Sequence, residues 1–294
     1  MTSVTAPPPA SPPPPLSPAG RTAVRVTLVA AAAVILVGAV VSLSVAAWGI
    51  SSFRVSTDTE ELPASMRSLT LDTGDVPIGV RITADREAKT ARADLRLVNS
   101  SRSGDQQLTV NTEAGTTRIS LGEDHSSPLD WARGGEITVT LPPDQARRLS
   151  LTTRMGIGEL LIQTDLDQLV ARSTDADVVL GGAARRVEIH TVSGDVTTRN
   201  PIAVAEQFSA STADGDITVD FGEVAPKTVD AVNRDGDVVI GLPEPGPYLV
   251  QASSGQSTRV RVAETSSPTT AVAQITARSD NGDVVVENVR PEHR

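Results

Sequence analysis

The sequence predicts an all-β protein: a single-span membrane anchor followed by a β-solenoid-like stack of two-strand repeats. Three observations predict this. A Gly-Asp phrase recurs: Ser-Gly-Asp-Val at 193–196, Asp-Gly-Asp-Ile at 214–217, Asp-Gly-Asp-Val at 235–238 and Asn-Gly-Asp-Val at 281–284. Aliphatic residues alternate with polar ones on both sides of it. One long uncharged stretch lies near the start of the chain. Repeats at a near-constant spacing indicate stacked supersecondary units.

The elements follow in chain order. Residues 1–20 are rich in Pro, Ala and Ser, with runs at Pro7–Pro9 and Pro12–Pro15. Such a segment favours an extended polyproline conformation and buries no core, so it reads as a disordered cytoplasmic tail. From Val26 to Ala47 there is no charged residue. At about 1.5 Å per residue this run crosses a hydrocarbon core of about 30 Å, and residues 22–48 are assigned as a transmembrane helix. Cleavage after Ser44-Val45-Ala46 is the alternative, but a signal peptide has a shorter apolar region of about 7–15 residues. Arg21 and Arg25 precede the run, while Asp58, Glu60 and Glu61 follow it. The positive-inside rule then puts the N-terminus in the cytoplasm and the C-terminal domain outside. Residues 49–65 read as a tether, and 66–290 as the extracytoplasmic β-repeat domain.

Residues 66–145 are less regular. Ser68–Leu71, Val76–Thr83, Ala91–Val98, Gln107–Thr112 and Thr117–Leu121 alternate as strands. Turns fall at Asn99-Ser100-Ser101 and Glu113-Ala114-Gly115. The regular repeats begin at about residue 135.

The regular repeats have a fixed grammar around the acidic landmark. From Glu159 through Asp177, Asp195 and Asp216 to Asp237 the landmarks are 18, 18, 21 and 21 residues apart. The first and third residues after each landmark are aliphatic, as in Val178/Leu180, Ile217/Val219 and Val238/Ile240, with Thr198 the exception. Eight, six and four residues before it stand Leu169/Ala171/Ser173, Val187/Ile189/Thr191, Phe208/Ala210/Thr212, Val229/Ala231/Asn233 and Ile275/Ala277/Ser279. Period-2 alternation on both sides means two strands, each with one buried face. Tyr248/Val250/Ala252 fits the same column, so one degenerate copy hides between Asp237 and Asp283. Asp, Asn and Gly suit turns that need positive φ. A sandwich of β-hairpins is the alternative architecture, since a tight Gly turn also joins antiparallel strands. Phe208 lies in the inward column and is expected to be buried.

Charge narrows the partners. The chain has 294 residues, no Cys and a formal charge of −10, and all 36 acidic residues lie beyond residue 50. That argues against nucleic acid and anionic lipid headgroups as partners. An exported domain without Cys holds itself together by its core rather than by disulfides.

With these phrases, the Leu141-Pro142-Pro143 edge and the anchor, the segment 66–290 resembles the bacterial putative-adhesin family, DUF4097-like domains of unknown function with Gly-Asp β-repeats. The resemblance implies a β-solenoid-like domain on the outer face of the membrane. It carries over no catalytic residues.

No constellation for catalysis or cofactor binding stands out. His125, His190 and His293 lack metal-ligand spacing to one another, and no Gly-x-Ser-x-Gly elbow or phosphate loop occurs. No catalytic residue and no cofactor is therefore expected. The one candidate is an acidic edge of Asp177, Asp195, Asp216, Asp237 and Asp283. Stacked in register, these carboxylates lie about 5 Å apart. They either accept amide hydrogen bonds from their own turns or share a cation such as Ca²⁺. The functional expectation is a non-enzymatic cell-envelope module for binding, sensing or scaffolding, with an unidentified surface protein or glycan as partner. The alternative is a carbohydrate-active β-helix enzyme acting on surface polysaccharide, which would need carboxylates grouped on an open strand face.

Overall fold

The computed structural model describes residues 53–100, 108–121 and 134–289, and seven helical positions between 31 and 42. The chain divides into Met1–Phe53 and Arg54–Arg294. Most of the expected span 22–48 lies outside the described residues, and no described helix is long and apolar enough to cross a membrane. Residues 1–20 also lie outside them, as do His125 and His293.

The described residues of Arg54–Arg294 are all-β apart from one turn of helix, α1 (Pro143–Ala146). Its regular part is a parallel stack. Each coil is one strand, a tight turn and a second strand, with Gly in the turn except in β9, where Ala176 takes its place. The coils are β8 (Ser150–Gln163) and β9 (Leu166–Leu180), each bent through its own turn; β10 (Ala183–Ser193) with β11 (Val196–Thr198); β12 (Ala203–Asp214) with β13 (Ile217–Asp220); and β14 (Thr228–Asp235) with β15 (Val238–Leu242). Val196 pairs with Val178 on one side and Ile217 on the other, as the solenoid register requires. Leu169, Val187, Phe208, Val229 and Ile275 form one continuous row, each the Cα partner of the next. Phe208 is fully buried and meets Phe221 edge to face, centroids 5.3 Å apart. Aliphatic side chains from both strands of each coil fill one core.

The hairpin alternative survives only in the irregular first part. The antiparallel registers are those of β4 (Ala91–Ser100) with β7 (Gly134–Leu141) and of β5 (Leu108–Glu113) with β6 (Thr116–Leu121). The β5–β6 turn uses Ala114 and Gly115, both at positive φ. Everywhere else the described registers are parallel. The expected tether is mostly strand: β1 (Phe53–Leu62) pairs with β4, and Asp58 accepts the Leu108 amide at 3.0 Å.

Stacking order departs from chain order at both ends. The coil of β2 (Ser68–Gly74) and β3 (Ile78–Ala84) sits between β6/β7 and β8. At the other end the degenerate copy is present as β16 (Tyr248–Ser254) and β17 (Thr258–Arg261). It does not stack on β14/β15. The later coil, β18 (Ala273–Asn281) with β19 (Val284–Asn288), takes that place, and β16/β17 lies outside it. Its register also differs from the expected column: Val250, Ala252 and Ser254 pair with Ile275, Ala277 and Ser279, while Tyr248 pairs with Ala273. Period-2 strands tolerate a two-residue slip because every inward residue stays inward. Tyr248 uses the added position to bury its ring and donate its hydroxyl to the Pro243 carbonyl. As the outermost coil, β16/β17 leaves Val250, Ala252 and Val260 only half-buried.

Candidate functional site: the turn edge

The Gly-Asp turns lie along one edge of the stack and form two hydrogen-bond ladders. Gly194, Gly215 and Gly236 have φ of 120°, 141° and 133°. A Cβ on Gly215 would sit 2.4 Å from the Gly194 carbonyl oxygen, and one on Gly236 2.4 Å from that of Gly215. Glycine is thus required twice over, by its dihedral and by the close approach of the next coil.

The outer ladder is made by the landmark Asp residues. Asp177 accepts the backbone N–H of Asp195 at 2.9 Å; Asp195 accepts that of Asp216, Asp216 that of Asp237, and Asp237 that of Asp283, each at 2.8 Å. The five predicted residues do lie together along one edge. Their bonding differs from the expected one in its direction: each carboxylate serves the next coil's turn, not its own. Coils about 4.8 Å apart put the neighbouring amide within reach of one short side chain. Four of the five carboxylates therefore hold a hydrogen-bond donor, which offsets the repulsion expected of stacked charges. Among the described residues no cluster of three or more His, Cys, Asp or Glu could hold a metal ion.

The inner ladder comes from small polar residues just before the turns: Thr212, Asn233 and Ser279, four before their landmarks, and Ser254, two before Gln256; Thr191 in β10 instead donates to its own Ser193 carbonyl at 2.6 Å. Thr212 donates to the Gly194 carbonyl at 3.3 Å, Asn233 to Gly215 at 2.6 Å, Ser279 to Gly236 at 2.7 Å and Ser254 to Gly282 at 2.5 Å. The last two bonds follow the spatial order of coils, not the chain order. The sequence showed these residues as small and polar; it did not show that they bind the glycine carbonyls.

Both ladders stop toward the first coils. In β8 the inward polar position is Met155, and the turn reads Gly156-Ile157-Gly158-Glu159, in step with Thr174-Asp175-Ala176-Asp177 of β9. Ser173, Thr153 and Thr73 there carry buried hydroxyls with no hydrogen-bond partner. A polar cleft of about 280 Å³ opens between β2 and the β8 and β9 strands. By contrast, an apolar void beside Leu180 and Gly181 measures about 20 Å³, room for one water at most.

Ion pairs lie both along the strands and beside the turns. Arg185 holds Asp167 with two bonds, at 2.9 and 3.0 Å, and Glu206 at 3.1 Å; Arg186 joins Glu206 at 2.7 Å. The Arg185 guanidinium keeps the Asp167 carboxyl below the usual carboxylate range, and Arg186, helped by Arg185, does the same for Glu206. Arg234 and then Asn281 likewise lower Asp235. His190 points outward, with Nδ1 2.7 Å from the Ser211 hydroxyl and Nε2 3.1 Å from Glu188.

Fold and edge together define a class: a parallel stacked-coil β-domain whose turns are tied by side chains. Residues 135–287 match the Toastrack DUF4097 family, and the chain belongs to it. Three solved structures are similar to the chain at low identity. A putative adhesin from Bacteroides fragilis is 17% identical, with 80% of this chain and 97% of that one covered and a TM-score of 0.43. A putative adhesin from Parabacteroides merdae is 10% identical, with 81% and 97% covered and a TM-score of 0.44. A putative lipid binding protein from Parabacteroides distasonis is 12% identical, with 80% and 95% covered and a TM-score of 0.39. No curated protein matches the chain.

Proposed function

We propose that this protein is a non-enzymatic module of the bacterial cell envelope. Residues 22–48 anchor it in the membrane, residues 1–20 face the cytoplasm, and the β-stack stands outside as a rigid body that binds, senses or scaffolds at the surface. The observation that carries the reading is the outer ladder. The carboxylates that repeat along the edge are committed to neighbouring coils, so the repeated acids serve the architecture. A catalytic pair needs free carboxylates converging on one substrate position. The uncharged run Val26–Ala47 and its flanking charges support the anchor.

Protease added to intact cells tests the arrangement. The β-domain should be digested while an N-terminal epitope on the Pro-rich tail stays protected. Recovery of a released domain starting near Ala47 would replace the anchor with a cleaved signal, and protection of the whole chain would overturn the external location.

A further inference from the structure

The regular coils leave no room at the turn edge, because each turn is filled by its neighbour's Asp and glycine. The first coils differ. Register places Asp72 of β2 beside Arg154 of β8, and Arg154 beside Arg172 of β9. At about 4.8 Å per strand this row presents one negative and two positive groups in sequence. Asp75 adds a second carboxylate at the negative end. It packs on Gly156, where a Cβ would come within 2.9 Å of its Oδ1. All four charged residues line the 280 Å³ cleft, with Met155 and Ser173.

The polar groups of this cleft are under-used. Arg154 makes no ion pair with any described residue, although Asp72 is its register neighbour. Arg172 spends one nitrogen on Glu188, at 3.0 Å. Asp72 accepts only the Gly74 amide, at 3.2 Å. Ser173 lines the cleft with a buried hydroxyl that has no partner.

We propose that this cleft binds a small zwitterion carrying a free carboxylate and a free ammonium group, of the amino-acid or dipeptide kind. The carboxylate lies toward Arg154 and Arg172, whose guanidiniums match its planar geometry. The ammonium lies toward Asp72 and Asp75. Met155 supplies an apolar floor. The proposal does not depend on the membrane anchor.

Isothermal titration of the full chain with L-alanyl-L-alanine tests it, with N-acetylated and C-amidated forms of the same dipeptide as comparators. The free dipeptide should bind with a Kd on the order of 1 mM, a modest affinity suited to a ligand of so few atoms. Blocking either end should weaken binding at least tenfold, as should Arg154→Gln or Asp75→Asn. Both substitutions are at exposed positions, so the melting temperature without ligand should not move. No heat at tens of millimolar dipeptide would overturn the proposal. So would equal binding of a blocked form, or a preference for galacturonic acid, which has no ammonium group. Amide shifts on titration should map to residues 72–75, 154–156 and 172–174; shifts elsewhere would also overturn it.

Discussion

The coils of β10–β15 and the coils of β2/β3 and β8 share one fold but are tied together differently. In the first region every turn repeats Gly-Asp. Its glycine leaves the neighbouring coil's carbonyl the space a Cβ would fill, its Asp binds the next coil's amide, and the inward Thr212 and Asn233 bind glycine carbonyls. In the second the phrase decays to Gly-Ile-Gly-Glu, Met155 replaces the small polar residue, and Thr73 and Thr153 carry buried hydroxyls without partners. The backbone ladder continues through both regions. The repeated phrase is therefore not what makes the stack; it is what closes the stack's edge, and where it lapses a cleft appears.

The largest expected effect tests the part both regions share. Phe208 fills the core row and packs on Phe221. Phe208→Ala should cost about 3–5 kcal/mol, read from denaturant unfolding of the full chain. A loss below about 1 kcal/mol would mean the row is not the structural spine.

The glycines separate the two regions next. Gly215→Ala places a methyl against the Gly194 carbonyl and forces a dihedral that L-residues avoid, so it should cost about 1–3 kcal/mol or more. Gly74 has φ of 56° and nothing within 4 Å of its Cβ position. Gly74→Ala should cost only the left-handed penalty, about 1–2 kcal/mol. Equal costs would mean that coil approach plays no part in the choice of glycine.

Much of this was legible in the chain itself. The inward columns, the Gly-Asp turns and the strands at 68–74, 78–84 and 91–100 follow from period-2 alternation and turn chemistry, which are local. The order of the end coils was not legible. Val250/Ala252/Ser254 matches the inward column of several coils, so alternation cannot say which neighbour it takes, and 262–272 is long enough to let β18 slip inside. The cleft was equally hidden. Asp72 and Arg154 are far apart in sequence, and only the leapfrogged position of β2/β3 makes them neighbours.

The ladder Asp residues give a smaller contrast. Asp216→Asn weakens a charge-assisted bond to the Asp237 amide and should cost about 1 kcal/mol. Asp75 belongs to no ladder, and Asp75→Asn should stay within about 0.5 kcal/mol. A matching pair of losses in chemical denaturation would argue that the ladder adds nothing beyond surface charge.

A pH scan sets the regular coils against the rest in another way. Asp167 and Glu206 are bound by Arg185 and Arg186 across three coils, and both carboxyls are lowered. A lowered carboxyl stabilises the fold above its unfolded pKa of about 4, and that contribution is lost as pH falls through the folded value. The melting-temperature difference between wild type and Arg185→Gln should thus be present at pH 7 and shrink below about pH 4. All these groups are near the surface, so the difference should be a few degrees at most and smaller in high salt. A difference that grows on acidification would reverse the assignment.

The smallest expected effect concerns cations, and it decides what the acidic edge is for. Ca²⁺ takes six to eight oxygen ligands, usually from carboxylates grouped about one point. The ladder instead sets its carboxylates in a line and occupies four of them, on Asp177, Asp195, Asp216 and Asp237, with backbone amides at 2.8–2.9 Å. Each of those carboxylates keeps its second oxygen, but one oxygen per coil set out along a line does not gather six to eight ligands about one point. Binding to the folded state alone would raise stability by RT ln(1 + [L]/Kd), about 2.7 kcal/mol at a hundredfold excess over Kd. Melting the full chain in millimolar Ca²⁺ and in chelator should therefore give the same midpoint. A rise of several degrees with Ca²⁺, lost in Asp216→Asn, would show that the edge holds metal, and the two regions would then differ in ligand rather than in closure.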